Sequence, residues 1–559
     1  MTDGIEADYV IVGAGSAGCV LANRLSEDPS TRVLLIEAGG RDWNPYIHVP
    51  AGFMKMLDHP KLTWGFYAEP DEGTAGRAIL YPRGRVLGGS SAINGLIYVR
   101  GQPEDFDHWA QLGNRGWGWD DVLPYFKKAE NWQGAANEWR GTGGPLSTAH
   151  MTDIPPLCRA AIEAGKEIGL DYRDDVNALP RRIEDAPSDG RAPARAELGG
   201  IGYCQQTRGG RWRASTARTY LRPALRRPNL RVITKALVHR IVFDGRRAVA
   251  VEYERQGRVL RAAAAGEVIL SAGAIGSPHI LQLSGVGAPE HLSGIGIPVH
   301  HALAGVGQNL QDHYVARVSY AVAGAPTINE RSHGPALFAE IARYLLTGKG
   351  MLTYSASLAA ASVKVLPESA TPDVQCVFAP GSFKDGQIGA LDDFPGMTAG
   401  VWQMRPLSRG TVLAKSPDPH MAPAINPRYF SDPTDRRAVV AGLRFLRRFF
   451  AAPALARHVR SEILPGKEID SDEALFDYAK RKGSTVYHAS CTCRMGNGAL
   501  AVVDDQLRVH GLDALRVVDA SVMPTVTSTN TNAPTIMIAE KAAALIRAAA
   551  RHGATAAAA

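Results

Sequence analysis

The chain of 559 residues is 45% hydrophobic and 21% charged, the composition of a folded globular protein, which excludes global disorder. Its 62 Lys and Arg against 55 Asp and Glu leave a formal charge of +7 with no basic run, so no nucleic-acid partner is expected. Glycine is in excess at 58 residues; without a periodic repeat this excludes collagen and implies many tight turns or close approaches of backbone to a ligand.

The length allows three or four domains, or two large interleaved ones. The opening MTDGIEADYV is acidic and lacks the basic-then-apolar order of a secretion signal. The longest uncharged stretch, 268–289, is interrupted by Gly, Ser, Pro, Gln and His, so no membrane span is expected. Six scattered cysteines (Cys19, Cys158, Cys204, Cys376, Cys491, Cys493) form no disulfide framework, and a reducing cytoplasm is the expected compartment.

Residues 7–12, ADYVIV, read as a short buried strand, followed by GAGSAG and a helix over about 17–26. Gly13 permits the tight turn, Gly15 lets backbone approach a pyrophosphate, and Gly18 lets helix pack closely on strand. A second strand, 32–36, ends at Glu37, where an acid bonds a ribose hydroxyl. Strand, glycine turn, helix, strand and acid in that order predict a dinucleotide site.

Further strands are expected at 230–234 and 236–243, the latter turning at Asp244-Gly245 into 248–253 as a hairpin. EVILSA (267–272) and LRVVD (515–519) read as short buried strands. One domain is therefore expected to be assembled from separated segments, with the intervening sequence forming a second. Residues 180–199 carry many charges, three prolines and no aromatics, the composition of a surface loop or, alternatively, an active-site lid. The Ala-rich stretch after Arg551 reads as frayed helix or disorder.

Residues 84–107, GRVLGGSSAINGLIYVRGQPEDFD, and 273–287, GAIGSPHILQLSGVG, resemble the two signatures of the glucose–methanol–choline (GMC) family of FAD-dependent oxidoreductases. VYHASCTCRMG and DASVMPTVTSTNTNAPTIMIAEKAA resemble that family's C-terminal segments, and the wording is similar to its bacterial choline and alcohol dehydrogenase branch. The resemblance implies an α/β fold: a Rossmann-like FAD-binding domain (1–150, 201–312 and 486–559) interleaved with a substrate-binding domain (151–200 and 313–485) built on an antiparallel sheet with helices.

It also implies a flavin cradle. Gly13, Gly15, Ser16, Ala17 and Gly18 belong to the first turn, and Glu37 and Ala38 to the end of the second strand. The first signature contributes Val86, Gly88, Gly89, Ser90, Ser91, Asn94 and Gly95. Val238 is implied at the adenine and Asp519 and Ala520 at the ribityl–pyrimidine side, with Ala272 and Thr531 completing the set. Where some relatives carry a flavin-linked His, this chain has Ile93, so non-covalent FAD is expected.

Alcohol oxidation needs an acceptor for the hydroxyl proton, and an imidazole titrating near neutrality suits it. The resemblance singles out His488 as that base and Asn530 as its partner, whose amide donates a hydrogen bond to the substrate oxygen. It also implies that the helix after Pro534 aims its N-terminus at the flavin, where its dipole favours negative charge on the reduced ring. Cys491 and Cys493, with no second ligand pair, read as packing thiols two apart on a strand rather than a metal site, and no metal is expected.

The expected reaction is oxidation of a primary alcohol, with O2 or a quinone-type acceptor reoxidising the flavin; a quinone would imply peripheral membrane association. Alternatives are choline dehydrogenation, a flavin-containing lyase of the hydroxynitrile type, a light-driven decarboxylase, or a non-catalytic flavoprotein. Choline would need a carboxylate and an aromatic cage, for which Trp64, Phe66, Tyr67 and Trp402 are the candidate aromatics.

Overall fold

The computed structural model describes residues 5–178, 199–385, 387 and 389–558. Residues 180–198 of the charged stretch singled out above lie outside the described residues.

Two sheets organise the chain. In the first, five strands run parallel in the order Leu230–Thr234, Val33–Glu37, Ile5–Val12, Arg258–Leu270, Leu515–Val517. These strands are short apolar runs such as VLLIE, whose five residues are all buried, as expected of a parallel sheet covered on both faces. The helix Ser16–Leu25 follows the first strand and packs against the long helix Asn532–Ala558. Buried Glu540 accepts from Arg24 Nη2 at 2.7 Å and from the Tyr220 hydroxyl at 2.9 Å, joining the two ends of the chain.

The expected strand over 267–272 ends two residues earlier, at Leu270, and belongs to a longer one, Arg258–Leu270. Its first half pairs antiparallel with Arg247–Arg255 and its second half parallel with Ile5–Val12. The run Ala262–Ala263–Ala264 carries little strand propensity of its own; the pairing on both sides extends it. The Ala-rich stretch after Arg551, for which the sequence predicts frayed helix or disorder, continues the last helix to Ala558.

The second sheet has eight strands, ordered Val459–Leu464, Tyr314–Val322, Gly396–Gln403, Val374–Ala379, Ala359–Val363, Gly199–Tyr203, Asp171–Tyr172, with Ser484–Thr485 beside Tyr314 and Val315. All its neighbours are antiparallel except the last pair of that order. Helix Pro433–Ala451 buries Val439, Leu443, Leu446 and Phe449 against one face. A Cβ on its Gly442 would come within 2.6 Å of Val401, so close helix–sheet contact requires glycine there. The opposite face, carrying Val315, Arg317, Thr398, Gly400 and Trp402, looks into a cavity shared with the first sheet.

Candidate active site

The cavity, of about 1250 Å³, opens where the parallel strands end. Their carboxyl ends deliver Gly13, Glu37, Ala272 and Asp519 to its wall, the position at which doubly wound sheets bind ligands.

Gly13 has φ +98° and donates its N–H to Ile36 O at 2.7 Å, a conformation that a side chain resists. A Cβ on Gly18 would stand 1.9 Å from Gly13 O, so helix and turn pack too closely for alanine. Gly15 differs: its Cβ would meet nothing nearer than Ser271 O at 3.8 Å. Protein packing does not demand glycine there, and the opening suits a phosphate group brought against backbone N–H groups. Gly89 crosses over this turn so tightly that its Cβ would lie 2.6 Å from Gly15 Cα.

Two helix N-termini converge on the cavity. Ser16 and Ala17 begin one, Thr531, Asn532 and Thr535 the other, and Ser16 Oγ donates to Asn532 Oδ1 at 2.8 Å. Both present partial positive charge. Glu37 is buried, and its two oxygens accept from Ala14 N (2.8 Å) and Gly39 N (2.7 Å). Burial pushes its carboxyl up to about 7 despite those bonds and Arg85, so it is free to share a proton or a hydrogen bond with a hydroxyl. These features fit a flavin dinucleotide.

Ala38, Ser90, Asn94, Gly95, Val238 and Ala520 also line the cavity. Asn94 Oδ1 accepts from buried Arg213 at 2.7 Å, which turns its NH2 end free. Among the described residues Arg213 meets only neutral oxygens, including Ile47 O and Asn94 O, and burial pulls its guanidinium down to about 9; it is a brace for the signature loop that the sequence did not disclose. Gly18, Val86 and Ser91 do not line the cavity. Val86 faces a neighbouring cleft. Ser91 spends its hydroxyl on Gly88 O (2.6 Å) and Thr216 (3.0 Å), because the short 3-10 turn Gly89–Ala92 points it inward. Asp519 lines the cavity but also accepts from Gly273 N (2.8 Å) and Ser277 Oγ (2.5 Å), anchoring the second signature helix.

His488 and Asn530 also line the cavity. His488 Nε2 lies 3.0 Å from Asn530 Nδ2, and His488 Nδ1 lies 2.8 Å from Nδ1 of fully buried His313. His313 Nε2 is 2.8 Å from Met404 O. A carbonyl only accepts, so the neutral His313 carries its proton on Nε2 and offers a lone pair at Nδ1. His488 must then donate from Nδ1, which leaves Nε2 as an acceptor for the Asn530 amide. One backbone carbonyl thus sets two tautomers in series.

Asp312 holds this segment: Oδ1 accepts from His488 N at 2.8 Å, and Oδ2 from Tyr81 (2.6 Å), Tyr429 (2.5 Å) and Thr485 (2.6 Å). Tyr487, beside the histidine, is in the left-handed region at φ +69°, a conformation costly for a non-glycine residue. Arg83 Nη1 donates to Tyr487 O at 2.7 Å, while its Nε and Nη2 are buried with no hydrogen-bond partner among the described residues. Desolvation, then His313, then Arg83 hold the His488 imidazole well below the ordinary histidine value. Trp402 stands 6.3 Å from both imidazole rings.

Cys491 and Cys493 are buried in a turn rather than on a strand, and all six cysteines are free. Their N–H groups bond Ala520 O (3.1 Å) and Ser521 O (2.8 Å), which joins the His488 segment to Asp519. Burial pushes the Cys491 thiol up to about 12, which keeps it protonated in the neutral range.

Family profiles described as GMC oxidoreductase match residues 7–315 and 406–539. The chain is 40% identical over 545 residues to an alcohol dehydrogenase [acceptor] of Pseudomonas putida, covering 96% of this chain and 95% of that protein. It is 38% identical over 541 residues to an oxygen-dependent choline dehydrogenase of Photobacterium profundum, covering 96% and 92%. A solved structure of the Aspergillus oryzae formate oxidase, concerned with FAD modification, superposes with a TM-score of 0.89 at 26% identity over 99% of this chain and 100% of that one. With these matches along nearly its whole length, and a cavity shaped for a flavin dinucleotide, the chain belongs to the GMC oxidoreductases, enzymes that work with FAD.

Proposed function

We propose that the protein oxidises a primary alcohol to the aldehyde, with His488 as general base. The observation that carries this reading is the series Met404 O, His313, His488, Asn530, which aims an unprotonated Nε2 into the cavity beside an amide donor. Bound FAD supplies the hydride acceptor. The depressed His488 pKa keeps Nε2 free throughout the neutral range. An alcohol hydroxyl entering between His488 and Asn530 gives its proton to Nε2 and takes a hydrogen bond from the Asn530 amide. The Arg83 guanidinium, next to the histidine, favours the alkoxide through its charge. His313 keeps the Nδ1–H of His488 satisfied before and after proton transfer.

Ile93 lines the cavity and has no nucleophilic atom, which supports non-covalent FAD. The cofactor domain of this reading comprises 1–150, 201–312 and 486–559, and the substrate domain 151–200 and 313–485. The reading is of a cytoplasmic enzyme that passes electrons to O2 or a quinone-type acceptor. No helix among the described residues is long and apolar enough to cross a membrane.

Anaerobic mixing of the holoenzyme with a panel of primary alcohols tests the proposal. Bleaching of the oxidised-flavin absorbance is expected, and His488→Ala should abolish it while FAD stays bound. Unchanged reduction in that variant would sink the assignment of the base. Release of aldehyde from a cyanohydrin without bleaching would indicate a lyase instead.

A further inference from the structure

We propose that the alcohol carries an anionic group, a carboxylate, which Arg317 binds at the far end of the substrate space. This rests on the alcohol-oxidase or dehydrogenase reading of the site and adds the substrate's charge to it.

The sheet register sets the placement. Arg317 lies opposite Gly400, and Ala316 opposite Val401, the neighbour of Trp402, on strands whose Val315, Arg317, Gly400 and Trp402 all line the cavity. Trp402 marks the His488 end. One pleat repeat along an antiparallel strand, about 6.8 Å, therefore separates Trp402 from the position facing Arg317, and both side chains stand on the cavity face of the sheet. Gly400, directly opposite, supplies the room: it presents no side chain over Arg317, and a Cβ there would strike Val315 at 2.8 Å.

The charge balance points the same way. Arg317 is partly buried among Tyr314, Tyr478 and Tyr487, which are neutral, and has no carboxylate partner among the described residues. Arg83 likewise has none, and two of its nitrogens are orphaned. The other cations on the wall are spoken for: Lys482 by Asp385 at 2.5 Å, Lys384 by Asp393 at 2.9 Å, Arg481 by Asp477. Arg77 is taken by the carbonyls of Lys480 and Gly483.

A cationic substrate finds no matching site. Of the acidic side chains on the wall, Glu37 and Asp519 bond backbone at the dinucleotide end, Asp385 is paired, and Asp58 is exposed. Trp64, the natural centre of a cage, has the Arg85 guanidinium 4.7 Å from its ring centroid and Phe66 stacked at 5.6 Å. Its faces are occupied by a cation and a ring. A planar carboxylate, by contrast, matches the guanidinium fork bidentately.

The test uses holoenzyme and three isosteric alcohols: 4-(hydroxymethyl)benzoate, 4-methylbenzyl alcohol and 4-(aminomethyl)benzyl alcohol. Flavin-reduction kcat/KM should favour the carboxylate over the neutral alcohol at least tenfold, through KM, with the ammonium compound worst. Arg317→Gln should collapse the carboxylate-to-neutral ratio to near one, and Arg317→Lys should restore part of it. As a readout independent of turnover, 4-methylbenzoate should perturb the flavin spectrum on binding the wild type and bind at least tenfold more weakly to Arg317→Gln. Equal kcat/KM for the three alcohols, or a preference for the ammonium compound, would overturn the proposal while leaving alcohol oxidation intact. Failure of every alcohol to bleach the flavin would remove both.

Discussion

The buried histidine pair makes a quantitative demand. Replacing His313 with Leu removes the acceptor for His488 Nδ1–H, now 2.8 Å away, without opening a large void. A buried donor left unpaired costs about 1–3 kcal/mol, and His488 can recover that only by shifting its proton to Nε2, the atom that must receive the substrate's. The competent tautomer is then disfavoured by the same amount, which converts to a loss of about 5- to 150-fold in the rate of flavin reduction. Gln at 313 can restore both contacts, its carbonyl accepting from His488 Nδ1 and its amide donating to Met404 O. Anaerobic stopped-flow on the FAD-loaded variants separates rate from substrate affinity. His313→Leu should be slow with an ordinary apparent Kd for the alcohol, and His313→Gln should lie within about fivefold of wild type. His313→Leu reducing its flavin at the wild-type rate would refute the tautomer argument, because a residue needed only for packing would leave that rate alone.

Two further outcomes follow from the geometry. Gly15→Ala should fold with wild-type stability, since its Cβ meets only Ser271 O at 3.8 Å, yet lose FAD on gel filtration; Gly18→Ala, 1.9 Å from Gly13 O, should fail as a folded protein, and equal behaviour of the two would contradict the reading of the turn. Acid should destabilise the fold through His279, which burial depresses to about 4 from an ordinary 6.5. The unfolded chain takes up a proton that the native chain excludes, so stability falls as pH drops from 6.5 toward 4, by up to about 3 kcal/mol. His279→Leu should flatten that slope in urea midpoints measured across the range; an unaltered slope would show that His279 is protonated natively.

The cofactor end of the site was readable because backbone geometry imposes residue type. A turn at φ +98° and a helix packed on it call for glycine at Gly13 and Gly18, and glycines at fixed spacing are visible in any sequence. The partners of His488 were not readable. His313 is 175 positions away, and what brings it close is the pairing of Tyr314–Val322 with Ser484–Thr485, which no local pattern announces. Met404 acts through its carbonyl, an atom every residue possesses. Asp312 could have been suspected only as one acid among 55. The same limit explains Cys491, taken for a strand residue from its spacing to Cys493, whereas φ +73° places it in a turn. For Arg317 the signal was register: its meaning depends on standing one pleat from Trp402, and the chain separates them by more than eighty residues.

The fifth parallel strand, Leu515–Val517, and the helix from Asn532 leave a ribosome about 500 residues after the strand Ile5–Val12 and the helix Ser16–Leu25. At about 5–20 residues per second, the opening turn waits roughly half a minute or longer before the helix that covers it exists. Throughout that interval Leu21, Leu25 and the Arg24 charge lack their final packing and the carboxylate of Glu540. Native completion of the flavin cradle is thus postponed until that helix has been made. A completed cradle then reports that synthesis has passed the helix from Asn532.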